Sequence, residues 1–151
     1  MDGERDGEGK EYNYDGKLIF EGEYYKGNKC KGKEFNYDGK LIFEGEYFKG
    51  KKWKGKEYNC DDNLIFEVKY LDGERNGEGK EYNSNGKLIF EGEYLDGKRN
   101  GEGKEYNSDG KLIFEVEYFK GKKWKGKAYD YDGKLIFEGE YLYGERNGIG
   151  K

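Results

Sequence analysis

The stretch Leu88-Ile89-Phe90-Glu91-Gly92-Glu93-Tyr94-Leu95-Asp96-Gly97-Lys98-Arg99-Asn100-Gly101-Glu102-Gly103-Lys104-Glu105-Tyr106 decides the fold. In Leu88 to Tyr94 alternate residues fall on opposite faces of an extended strand, with Leu88, Phe90, Gly92 and Tyr94 on one face and Ile89, Glu91 and Glu93 on the other. A Gly-rich loop follows, then a shorter strand ending at Tyr106. Gly recurs too often for a helix, where each would cost about 1 kcal/mol. One β-hairpin is the natural reading.

The hairpin repeats. LIFEGEY or a near copy begins at Leu18, Leu41, Leu64, Leu88, Leu112 and Leu135, spaced by 23, 23, 24, 24 and 23 residues. Residues 1–151 therefore form a single array of about six 23–24-residue repeats. Asn76-Gly77, Asn100-Gly101 and Asn147-Gly148 suit positions with φ > 0, and Asp15-Gly16, Asp38-Gly39, Asn85-Gly86, Asp109-Gly110 and Asp132-Gly133 mark the other end of each hairpin. Within the strand, Phe20 and Tyr24 flank Gly22, so an aromatic ring can lie over bare backbone. Val68 and Val116 replace that Gly in two repeats, where the groove should be filled or the ring displaced.

Composition fits this picture. Leu, Ile, Val and Phe number 27 of 151, too few for an ordinary central core, whereas 16 Tyr and 9 Phe supply burial. The 29 basic and 33 acidic residues nearly balance, against the high net charge of a disordered chain. There is no His, so a Ser-His-Asp triad and imidazole metal ligands are excluded. No apolar run exceeds three residues, which excludes a membrane-spanning helix and a secretory signal peptide.

From Phe90 to Gly103 the residues resemble a MORN repeat (membrane occupation and recognition nexus): aromatic-E-G-E-aromatic, two residues, then G-K-x-x-G-x-G. The phase is similar to the variant repeats of bacterial YwqK-type proteins. The resemblance implies an all-β, elongated single-layer antiparallel sheet of consecutive β-hairpins. It implies no catalysis and no cofactor. It also implies roles as a membrane-associating module, a scaffold or dimerisation arm, or an antitoxin-like binder of a toxin.

Three features are candidates for function. Three short loops are rich in lysine: Lys26, Lys29, Lys31 and Lys33 around Cys30; Lys49, Lys51, Lys52, Lys54 and Lys56 around Trp53; and Lys120, Lys122, Lys123, Lys125 and Lys127 around Trp124. The first two belong to adjacent repeats, so nine lysines are expected at one end of two hairpins. Lysines around an exposed Trp suit acidic lipid headgroups or an acidic protein, with nucleic acid disfavoured; the plainer alternative is that they solubilise turns. Second, Ile19, Ile42, Ile65, Ile89, Ile113 and Ile136 form a stripe opposite the Phe face, either covered within the array or offered to a partner. Third, the first and last strands present open edges, a template for self-association.

Weaker signals point elsewhere. Cys30 and Cys60 fall at opposite ends of hairpins, too far apart for a disulfide, and two free thiols suit a reducing, cytoplasmic setting. The Glu21 and Glu23 pair recurs in five of the six repeats, with Lys69 at the second position of the third, so it lacks the unique environment of a catalytic carboxylate pair. Asp61-Asp62-Asn63 replaces a D-G-K turn without a calcium-loop pattern. The sequence thus points to a non-enzymatic scaffold or protein-interaction module. Peripheral attachment to anionic membranes and toxin binding are the alternatives.

Overall fold

The computed structural model describes residues 5–142 and the backbone of 145–146. Asn147-Gly148 lies outside the described residues. The chain divides into two units, residues 1–73 and 74–151. The first holds β1 (Gly7–Tyr12), β2 (Leu18–Tyr25), β3 (Asn28–Phe35), β4 (Leu41–Phe48), β5 (Lys51–Tyr58) and β6 (Leu64–Leu71). The second holds β7 (Glu74–Tyr82), β8 (Leu88–Leu95), β9 (Lys98–Tyr106), β10 (Leu112–Phe119), β11 (Lys122–Tyr129), β12 (Leu135–Leu142) and β13 (Glu145–Arg146). In each unit every strand pairs antiparallel with its sequence neighbour, making an open sheet of consecutive hairpins. The described residues form no helix.

Two kinds of turn join the strands. At one end the two central residues both have positive φ, as in Lys49-Gly50 (52°, 80°) and Asp96-Gly97 (51°, 82°). That is the two-residue hairpin turn whose twist matches the strands. The expected loops are therefore only two residues long, and the strand that follows each is eight or nine residues rather than a short one. Asn76-Gly77 and Asn100-Gly101 lie within β7 and β9, not at hairpin turns. At the other end an Asn side chain, or Asp130 in the last repeat, builds the turn. Asn13 Oδ1 accepts from the amides of Asp15 (2.9 Å) and Lys17 (3.0 Å), while Gly16 N donates to Asn13 O. Asn59 builds the same turn with Asp62 at φ 67° in place of Gly, so Asp61-Asp62-Asn63 is a turn variant.

Repeats are stapled end to end. Gly27 N donates to Arg5 O at 2.8 Å, and Gly121 N repeats the contact with Arg99 O. At the opposite turns, Lys17 Nζ reaches Tyr37 O and Lys40 Nζ reaches Cys60 O.

Bulges shape both strand types. Tyr12 pairs with Leu18 while Glu11 pairs with Phe20, which leaves Ile19 as an extra residue. Strict alternation thus fails at the start of LIFEGEY: Leu18 joins Tyr12 and not the Phe20 face. A second bulge falls near the turns. Glu46 pairs with Lys54 and Tyr47 with Lys52, so Trp53 is the extra residue; Cys30 and Trp124 hold the same place. Between Arg99 and Gly103 the bulge is one residue longer. This accounts for periods of 24 against 23.

The core is a line of rings on one face of each sheet. Phe20, Phe43 and Phe90 are at most 1% exposed. Each lies over a pair of facing glycines: Gly22 and Gly32, Gly45 and Gly55, Gly92 and Gly103. A Cβ on Gly32 would stand 2.5 Å from Phe20 Cζ, and one on Gly45 would stand 2.3 Å from Lys54 O and 2.8 Å from Phe43 Cζ. In the first unit Tyr24, Phe20, Tyr47, Phe43 and Tyr70 stand edge to face in sequence, with centroids 5.7 to 5.9 Å apart. Such contacts add about 0.5–1.5 kcal/mol each beyond burial. Where Val68 and Val116 replace Gly, the valines are buried and Phe66 and Phe114 are only half-buried, so the groove is filled and the ring is displaced outward.

Thermal melts should separate the two uses of glycine. Gly45→Ala should destabilise by about 1–3 kcal/mol, because the added methyl meets backbone. Asp62→Gly should stabilise by about 1 kcal/mol by relieving a left-handed conformation.

Candidate functional site: two faces and the hairpin tips

The face that carries the rings also holds a repeated polar clamp. A Tyr hydroxyl donates to the Glu thirteen residues earlier: Tyr24 to Glu11, Tyr47 to Glu34, Tyr70 to Glu57, Tyr94 to Glu81 and Tyr118 to Glu105. A cation closes four of these clamps from above. Lys29 stands 4.2 Å from the Phe20 centroid and 3.8 Å from Glu11; Lys52 repeats this on Phe43 (4.2 Å) and Glu34 (3.5 Å). Arg99 lies 3.9 Å from Phe90 and pairs with Glu81 at 3.0 Å, and Lys123 lies 4.1 Å from Phe114 and 3.0 Å from Glu105. Burial opposes the Arg99 charge, but the Glu81 and Glu105 carboxylates outweigh it and hold its pKa above the ordinary range.

The opposite face is a charge ladder. Lys31 pairs with Glu23 (3.6 Å), Lys33 with Glu44 (3.8 Å) and Lys54 with Glu46 (3.3 Å). In the second unit Lys125 pairs with Glu117 and Lys127 with Glu138. Lys56 stands between Glu44 and Glu67 in the strand register.

The lysine-rich segments are therefore strands, not loops, and their lysines are split. Lys29, Lys52 and Lys123 close the ring face, while Lys31, Lys33, Lys54, Lys56, Lys125 and Lys127 stand on the other. Strand alternation disperses the expected group of nine. Only Lys26, Lys49 and Lys120 occupy the turns, each over the preceding ring at 5.2 to 5.5 Å: Tyr25, Phe48 and Phe119. Lys51 pairs with Asp72 at 3.7 Å, and Lys122 is exposed. Trp53 and Trp124 are partly exposed and lie under the ammonium groups of Lys54 and Lys125. Cys30 donates its Sγ–H to Glu23 O at 3.3 Å, and neither Cys30 nor Cys60 is in a disulfide.

The Ile stripe occupies the bulges. Ile19, Ile42, Ile65, Ile89 and Ile113 are half-buried, and Ile136 is 47% exposed. A second apolar row stands at the hairpin tips. Tyr25, Phe48 and Leu71 in the first unit, and Leu95, Phe119 and Leu142 in the second, are 47–65% exposed at the hairpin tips. The signal was present: each follows a buried or half-buried Tyr, so alternation turns it to the other face. Among the described residues no group of three or more Cys, Asp or Glu side chains is placed to hold a metal ion.

Residues 5–26, 75–96 and 99–120 match the family model described as a MORN repeat variant. These segments are MORN repeats. Each spans one odd-numbered strand, the Asn-built turn and the following even-numbered strand. No curated protein matches the chain. MORN repeats are generally protein- or lipid-binding modules and are generally non-catalytic. No helix among the described residues is long and apolar enough to cross a membrane.

The clamp should make the fold sensitive to alkali. Burial, then the Glu hydrogen bond, raises the pKa of Tyr47, Tyr94 and Tyr118 well above the ordinary 10, and the same two causes push Tyr106, bonded to Glu91, up to about 12. An unfolded chain releases these protons near pH 10, whereas the folded chain keeps them. Stability should therefore be full below pH 10 and fall as pH rises through 10 to 12 and beyond. Urea midpoints measured from pH 8 to 12 check this.

Proposed function

We propose that this chain is a non-enzymatic scaffold that binds protein through the apolar hairpin tips. The observation that carries the reading is the exposed row Tyr25, Phe48 and Leu71 in the first unit, with the partly exposed Trp53 at a neighbouring bulge. Aromatic side chains are enriched and lysines depleted at the centre of protein interfaces. The nearby lysines are mostly committed to Glu or to rings within the sheet, which favours an apolar contact over an electrostatic one. Catalysis has no support from the carboxylates, which recur in matching environments along each unit.

A second reading rests on a specific observation. The pairs Tyr25 and Lys26, Phe48 and Lys49, and Phe119 and Lys120 set a ring beside a cation at exposed tips. Rings and lysines in this arrangement suit the interface of an anionic membrane.

Capture from lysate of the native cell separates the two. A protein retained by the wild type should be lost from Tyr25→Ser/Phe48→Ser/Trp53→Ser at unchanged melting temperature. Retention by that variant contradicts the tip-binding reading. Flotation with vesicles of phosphatidylcholine and phosphatidylserine that vanishes with added salt and with Lys26→Glu/Lys49→Glu favours the membrane reading instead.

A further inference from the structure

The charge ladder of the first unit has an order that its own fold does not require. Two rows of side chains run across β1 to β6 on the face opposite the buried rings. The strand registers give one row as Lys10, Glu21, Lys33, Glu44, Lys56, Glu67. They give the other as Glu8, Glu23, Lys31, Glu46, Lys54, Lys69. Reading either row backwards inverts every sign. Beside them a third row is apolar throughout: Tyr12 faces Leu18, Phe35 faces Leu41 and Tyr58 faces Leu64.

We propose that two copies of this chain pair through this face, related by a two-fold axis that runs along the strands between β3 and β4. This surface is distinct from the hairpin tips, and its partner is a second copy. The axis lays β1 over β6, β2 over β5 and β3 over β4 of the other copy. Glu8 then meets Lys69, Glu23 meets Lys54, and Lys31 meets Glu46. Lys10 meets Glu67, Glu21 meets Lys56, and Lys33 meets Glu44. Tyr12 falls on Leu64, Leu18 on Tyr58 and Phe35 on Leu41. Every charged position faces its opposite, and the apolar row faces itself, as a two-fold interface requires. An axis running across the strands fails, because it would set Glu21 on Glu23.

Three further observations agree. Glu8 stands directly opposite Glu23 within the sheet, and Lys54 opposite Lys69. Like charges so placed destabilise a sheet, and the pairing sets each doublet against the other. Glu8, Lys10, Glu21, Glu23 and their neighbours on β1 to β4 line an open trough of about 1030 Å³, room for long side chains from a facing sheet. Six strands about 4.8 Å apart and eight residues long give a face on the order of 700 Å², so two copies bury roughly 1,400 Å², within the range of stable interfaces. The second unit lacks the property. Its corresponding row, Glu78, Glu93, Glu102, Glu117, Lys125, Glu140, would set Glu78 on Glu140 and Glu102 on Glu117 under the same operation.

Light scattering after gel filtration of the full chain tests the pairing. The wild type should have twice the monomer mass. Lys54→Glu/Lys69→Glu and Glu8→Lys/Glu23→Lys should each be monomeric with a native melting transition. Mixed in equal amounts they should form a heterodimer, since their rows complement each other at every position. The fourfold exchange Glu8→Lys/Glu23→Lys/Lys54→Glu/Lys69→Glu should restore the homodimer and guards against a variant that fails to fold. A monomeric wild type, paired variants that stay dimeric, or a mixture and a fourfold variant that stay monomeric would overturn the proposal. If the wild type is monomeric but still retains a cellular protein through Tyr25, Phe48 and Trp53, the pairing falls and the scaffold reading stands.

Discussion

A phenylalanine ring lying across two facing glycines is the contact on which the rest of the structure depends. Phe20, Phe43 and Phe90 are buried although each sheet is open, because the strand beneath them has no side chain at that point. The ring replaces a second layer. Once it is seated, the Tyr of its own strand and the Tyr of the next repeat meet it edge to face, as Tyr24 and Tyr47 meet Phe20. Each repeat then completes its neighbour's core, which is how repeat arrays gain stability.

The same constraint governs the charges. A ring in a one-layer sheet still has an outer surface, and that surface is capped by Lys29, Lys52, Lys123 or Arg99. The Glu that receives the Tyr hydroxyl holds the cation in place. Lysines that look like a basic patch in the sequence are thereby drawn into the core clamp on one face and into Glu pairs on the other. What remains for a partner is an apolar fringe at the hairpin tips and a patterned but nearly neutral face. This is the physical basis for preferring protein contact to simple attraction by an anionic surface.

Much of the fold was legible because it is periodic. The alternation in LIFEGEY, the glycine gap and the displaced rings beside Val68 and Val116 follow from side-chain size and strand geometry. The bulges were not legible. One extra residue at Trp53 or Cys30 leaves the local pattern of K-G-K-K-W-K looking like a loop, and only pairing with Glu46 and Tyr47 shows it to be strand. Because a bulge changes which face follows it, the fate of every lysine near it was hidden as well. The bulge at Ile19 likewise carries Leu18 to the Tyr12 face and away from the Phe20 face. The tip residues Tyr25 and Phe48 could have been found by carrying the alternation one position further.

If the Phe-on-Gly contact carries the array, removing the ring should cost most where two glycines lie beneath it. Phe43 sits on Gly45 and Gly55, while Phe66 stands beside Val68 and is only half-buried. Chemical denaturation should show Phe43→Ala costing about 3–5 kcal/mol and Phe66→Ala costing clearly less. Equal losses at the two positions would mean that the glycine pair beneath the ring does not matter.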